Sequence, residues 1–267
     1  MPLSSERLNL SINTTSGEMH AQVDVPTGII PISDIVPVLR SLGEQAQALE
    51  VSKTLQTGKT ISCQKGCAAC CQRIMVPVSP PEAFGLAEML KTLPQDHRER
   101  IEHRLTETRT RLHTAGLLPL LQDLAESPRQ KSDAEVDPIN RAYYALRIPC
   151  IFLENDACSI YEHRPAACRE YLVTSPADLC EDTEKNPVEV LHIPLRAGTV
   201  LSVLWADLSG GPVRLMPLPV AFEWADTHQD LNTQAWKGSD LFHKAMDGLG
   251  KFLQQTRAAF VQKKPGK

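Results

Sequence analysis

All eight cysteines of this 267-residue chain fall in two short groups: Cys63, Cys67, Cys70 and Cys71, then Cys150, Cys158, Cys168 and Cys180. The first four sit within nine residues, CQKGCAACC. Thiols kept only as small core residues are expected to scatter, because packing places no premium on bringing them together. The N-terminal MPLSSERLNLSINTTSGEM lacks the basic and apolar regions of a secretory signal. No apolar run nears the roughly 20 residues that span a bilayer. The expected compartment is therefore the cytoplasm, with no membrane association, where thiols stay reduced. Clustered cysteines in that setting point to metal or redox chemistry rather than to disulfides.

The spacing sharpens the expectation. Two residues between Cys67 and Cys70 let one tight turn aim both thiolates at one metal, and Gly66 before them suits a backbone with positive φ. Cys70 and Cys71 are adjacent, and neighbouring side chains in an extended segment point opposite ways. The pair then serves two different metals, or one of them stands behind the ligand shell. Thiolates gathered on a metal accumulate negative charge. Arg164 and Arg169, flanking Cys168, are the candidates to balance it and so to contact a bound cofactor. Arg169 has a second reading, as an ion-pair partner of Glu170 or Glu162. All eight cysteines are candidate metal ligands, and zinc and iron both accept thiolates. His163 reads as an exposed loop residue, His192 as a packed histidine, and Asp178, Glu181 and Asp182 as a solvated acidic loop.

Elsewhere the chain reads as mainly α with small β elements, an α+β fold. Residues 7–25 alternate cleanly, with Leu8, Leu10 and Ile12, then Met19, Ala21, Val23 and Val25, on one face; they form a hairpin around TTSGE. A helix is expected from Ser33, with Pro37 in its first turn and Gly58 as its stop. RIMVPV reads as a short strand. SPPEAFGLAEML carries a helix start, with Ser79 as N-cap, Pro80 first and Glu82 completing a capping box. Residues 95–113 form a charged helix with a narrow stripe of Ile101, Leu105 and Leu112, its arginines interleaved with acids as a solvated face. A short helix near 117–125 precedes ESPRQKSDAEVDP, the most loop-like stretch. IFL and SIY flank ENDA as a small hairpin, and Pro165 opens a short helix. Residues 198–209, 218–229 and 239–262 read as helices, with Trp224 and Trp236 packed among them.

Three regions are expected: an N-terminal hairpin extension over 1–30, a cysteine-cluster metal-binding domain over 31–184 and a C-terminal helical region over 185–267 packed on the same core. A formal charge of −4 and interleaved charges give no reason to expect nucleic acid as a partner. The expected partner is a metal ion.

The pattern Cys63-x3-Cys67-x2-Cys70-Cys71, then PCIFL, CSIYEHRPAACREY and Cys180, resembles the YkgJ-type cysteine-cluster family, described as a zinc- or iron-chelating domain. The match covers the segments around 63–84 and 149–180. The resemblance implies metal chelation and no settled reaction. The family is also similar to flagellin lysine methylases, thought to be iron–sulfur enzymes using S-adenosylmethionine, which implies a 4Fe-4S cluster as the alternative cofactor. Cys63-x3-Cys67-x2-Cys70 is also the spacing of radical S-adenosylmethionine enzymes. Those enzymes place an aromatic where this chain has Ala69, and put the motif after the first strand of a β/α barrel.

Overall fold

In the computed structural model, residues 4–14 and 16–262 are described. The chain opens with β1 (Ser5–Thr14) and β2 (Gly17–Pro26), paired antiparallel from Ser5 opposite Pro26 to Thr14 opposite Gly17. Alternation decides the faces: Met19, Ala21, Val23 and Val25 are buried, while Arg7 and Asp24 pair across the outer face at 2.8 Å. The connection is tighter than the five-residue loop the composition indicated. Gly17 at φ +117° permits it.

β3 (Ile29–Ile30) leads through a 3-10 turn, Ile32–Ile35, into α1 (Val36–Gln56). Pro37 occupies the first turn of α1, where no N–H is missed. β4 (Pro77–Val78) is all that forms of the strand expected over RIMVPV. α2 (Pro80–Thr92) begins on the capping box between Ser79 and Glu82. α3 (Gln95–Thr114) and α4 (Leu118–Glu126) follow.

The stretch that looked most like a loop instead ends in α5 (Asp133–Ala145). A capping box joins Ser132 and Glu135, and the helix tolerates Pro138 within it. β5 (Leu153–Glu154) and β6 (Ala157–Cys158) form the small hairpin. Its turn residues Asn155 and Asp156 both have positive φ, 50° and 56°, as a two-residue type I′ connection requires. α6 (Ala166–Glu170) carries Cys168. α7 (Ala197–Ser209), β7 (Met216–Pro217), α8 (Leu218–Thr227), α9 (Gln229–Asn232), β8 (Trp236–Lys237) and α10 (Gly238–Gln262) complete the chain. β3 pairs with β8 and β4 with β7, so sequence-distant ends are tied together.

Helix accounts for 56% of the chain, and the strands are few and antiparallel, which places the fold in the α+β class. One buried apolar cluster runs from Ile12 to Leu249. At its centre Trp224 packs against Phe84 and Trp205, with ring centroids 5.3 and 5.6 Å apart; Trp236 is only partly buried. Aromatic contacts of this kind add to area burial. Gly238 is fixed by close approach: a Cβ there would stand 2.3 Å from the Pro26 carbonyl oxygen. Among the described residues no helix is long and apolar enough to cross a membrane.

Candidate metal centre

The two cysteine groups are joined through the backbone. The N–H of Cys150 donates to the carbonyl of Cys71 at 2.7 Å. The N–H of Ser62 donates to the carbonyl of Val173 at 3.0 Å, and the N–H of Val173 to Cys63 Sγ at 3.3 Å. The first group thus touches the second at both ends.

Local folding places each sulfur. Gly66, at φ +94°, turns the chain between Cys63 and Cys67. Cys70 and Cys71 lie in a 3-10 turn, Cys70–Gln72, and not in an extended segment. Alternation therefore does not apply to them: both line one cavity, and the Cys70 thiol hydrogen-bonds to Cys71. Cys158 is fixed by the tight hairpin, opposite Leu153. Cys168 follows from α6, where its N–H donates to the carbonyl of Pro165 at 3.0 Å. Cys180 is buried in the 3-10 turn Ala177–Asp182.

Residues outside the motifs hold this arrangement. Glu82, 2% exposed, receives Ser79 Oγ at 2.7 Å on one carboxylate oxygen and the Ala166 N–H at 2.7 Å on the other. It therefore caps α2 and α6 together. Glu170 receives the N–H of Ala197, fastening α6 to the start of α7. Burial pushes its carboxyl up to about 7. Arg73 is buried, stacks 4.7 Å from the Tyr144 ring centroid and reaches Asp182 at 3.2 Å. Asp182 also takes Lys185 at 3.3 Å, so it is anchored, whereas Asp178 and Glu181 are exposed as expected of a solvated acidic loop.

α3 is likewise more than a solvated face. Arg104 donates to the Ile151 carbonyl at 2.7 Å, Arg111 to the Leu146 carbonyl at 2.7 Å and Arg100 to Glu154 at 2.6 Å. These contacts brace the strand-and-turn segment that carries Cys150. His163 is exposed, as expected, and so is His192, which is not packed. His192 lies in a surface loop, and its neighbours Leu191, half-buried, and Ile193, buried, turn inward instead.

The two arginines diverge. Arg164 lines the cysteine cavity and stacks over Tyr161, 3.7 Å from its ring centroid. Arg169 pairs with Glu44, and neither Glu170 nor Glu162 supplies the carboxylate. Its remaining donors go to the backbone carbonyls of Arg164, at 3.2 Å, and of Glu162. Sequence reasoning could not reach Glu44, because α1 is brought to α6 only by tertiary packing.

The electrostatics describe a set of thiols waiting for a cation. Burial raises Cys63, Cys158 and Cys168, takes Cys150 up to about 12 and Cys180 up to about 11. Cys70 is raised first by its hydrogen bond to Cys71 and then by burial. Opposing this, backbone N–H groups point at three sulfurs: Val173 at Cys63, Phe152 at Cys150 and Ile160 at Cys158. N–H groups aimed at sulfur favour the thiolate, which is the ligating form. A bound divalent ion reverses the burial effect and deprotonates the thiols it holds.

The donor set thus suits zinc or iron in ligand type and in hydrogen-bonded support. All eight cysteines are free thiols. Among the described residues no three Cys, His, Asp or Glu side chains are already closed around a metal-sized point.

Residues 62–188 match a known family model, which begins one residue before Cys63 and runs eight beyond Cys180. The match is to the CxxCxxCC model. That family is described as a "putative zinc- or iron-chelating domain". The matched segment holds every cysteine of the chain, and the hairpin and the last helices lie outside it. No curated protein and no solved structure matches the chain.

Proposed function

We propose that this protein binds a zinc or iron ion through thiolates drawn from both cysteine groups, in one composite centre around Cys70. The observation that carries this reading is convergence. Cys70 and Cys71 from the first group and Cys150, Cys158 and Cys168 from the second line a single cavity. Sulfurs separated by about eighty residues of chain do not meet in this way for packing alone. Burial without a cation leaves their thiols raised and their ligating form disfavoured.

When bound, the metal supplies positive charge that stabilises thiolates. The chain supplies the remainder: N–H donors to sulfur, the Arg164 guanidinium at the cavity wall, and the Glu82 and Glu170 carboxylates that hold α6 in place. Metal binding then couples to folding, because ligands from two distant segments must be held together. Anaerobic purification followed by elemental analysis and an absorption spectrum tests the reading. Zinc gives a colourless protein and an iron–sulfur cluster gives broad visible absorption. Metal-free protein that stays fully folded with eight reactive thiols would overturn the proposal.

A further inference from the structure

The cavity beside the cysteines has a second side. Its volume is about 270 Å³. Beside the five sulfurs, Met75, Val76, Val190 and Leu215 line it, so most of the wall is apolar. Val190 and Leu215 are themselves exposed, 42% and 46%, and mark the side open to solvent. A thiolate centre closed on all faces would have protein packed against its sulfurs instead.

The charged groups on the wall fix the sign of what fits. The Arg196 side chain, at the start of α7, is exposed and makes no hydrogen bond or close ion pair among the described residues, although its charge acts on the Glu170 carboxyl. Arg164 spends Nε on the Tyr161 carbonyl at 3.1 Å, and its two terminal nitrogens make no other hydrogen bond among the described residues. The acid on the wall, Glu170, is buried and already accepts the Ala197 N–H. Two guanidinium groups with unused donors therefore face the cavity, and guanidinium donors match carboxylates in a paired geometry.

We infer that the centre is open on this side and binds a small amphipathic anion, with an apolar body along Met75 and Leu215, a carboxylate on Arg196 and Arg164, and a donor atom on the metal. This rests on the thiolate metal centre proposed above. It adds a ligand that neither the cysteine pattern nor the family description assigns. The apolar lining excludes water from around the bond to the metal.

The full chain loaded with cobalt(II) reports on this directly, because thiolate-to-cobalt and ligand-field absorption respond to a new ligand. The probes are 3-mercaptopropionate, which has the anionic end, and 2-mercaptoethanol, which lacks it. The expected result is a saturable spectral change with 3-mercaptopropionate at about tenfold lower concentration than with 2-mercaptoethanol, as one charge-assisted contact provides. Arg196→Gln should reduce that preference to within about threefold, on the same scale. Leu215→Trp, filling the open side, should suppress the response to both thiols. A cobalt spectrum that neither thiol alters would show a closed centre. Equal effects of the two thiols on the spectrum or on cobalt retention would show that the cavity does not select an anion. Failure to take up cobalt at all would overturn the metal reading, and with it this inference.

Discussion

Cys71 and Cys150, 79 residues apart in sequence, are bonded backbone to backbone, the N–H of Cys150 donating to the carbonyl of Cys71 at 2.7 Å. The contact is made by the peptide groups, so it fixes the distance between the two cysteine segments whatever their side chains do. Closing so long a loop costs only slowly more entropy than closing a short one.

A composite centre makes the two groups interdependent. Cys70→Ser and Cys168→Ser should each lower both metal content and thermal stability, and the double variant should lose clearly less than the sum of the two. Metal analysis and melting curves on the three proteins check this. Strictly additive losses, each single variant keeping half its metal, would mean two separate local sites.

Glu82 is expected to matter for stability because it holds the Ala166 N–H, 84 residues away in sequence. Glu82→Ala leaves the Ala166 N–H and the Ser79 hydroxyl without their buried acceptor, at a cost of about 2–3 kcal/mol. Denaturant unfolding measures it. A loss below about 0.5 kcal/mol, in the range of ordinary surface changes, would show that the cap does not hold α6.

Arg73→Met should loosen the loop that carries Cys180. The guanidinium is buried, its contact with Asp182 is largely shielded, and Met keeps most of the volume while removing the charge. The expected loss is about 2–3 kcal/mol, towards the lower edge of what breaking a buried ion pair costs. Asp182→Asn should show part of the same effect. Unchanged stability in both variants would place the anchoring elsewhere.

The hairpin and the start of α2 were legible because each rests on local rules, side-chain alternation in one and the Ser79 and Glu82 capping box in the other. α5 was equally signalled by Ser132 and Glu135, but Pro138 and the polar run before it outweighed that short signature. The conformation of the Cys70 and Cys71 pair was hidden for a different reason: an adjacent pair reports opposite faces only in an extended chain, and the 3-10 turn cancels the rule. Arg73, Arg196 and the second oxygen of Glu82 had no sequence signal, since their partners come from distant segments. The arginines of α3 looked solvated for the same reason, their acceptors being the backbone carbonyls of Leu146 and Ile151.

Arg169 separates two roles. Its donors are taken up by Glu44 and by the carbonyls of Glu162 and Arg164. Arg169→Leu is therefore expected to cost about 1–2 kcal/mol of stability and to leave metal affinity within about threefold, measured by chelator competition. A drop of about ten- to a hundredfold, the usual effect of losing a group that supports the ligands, would put its guanidinium on the sulfurs instead.

The most direct test of the thiolate centre is X-ray absorption at the K edge of whichever metal accompanies the anaerobically purified protein. If both cysteine groups hold the metal, its nearest shell consists of sulfur, at about 2.3 Å for zinc, and Cys70→Ser or Cys168→Ser lowers the sulfur count. A shell dominated by nitrogen or oxygen near 2.0–2.1 Å, unaltered by either substitution, would contradict the account.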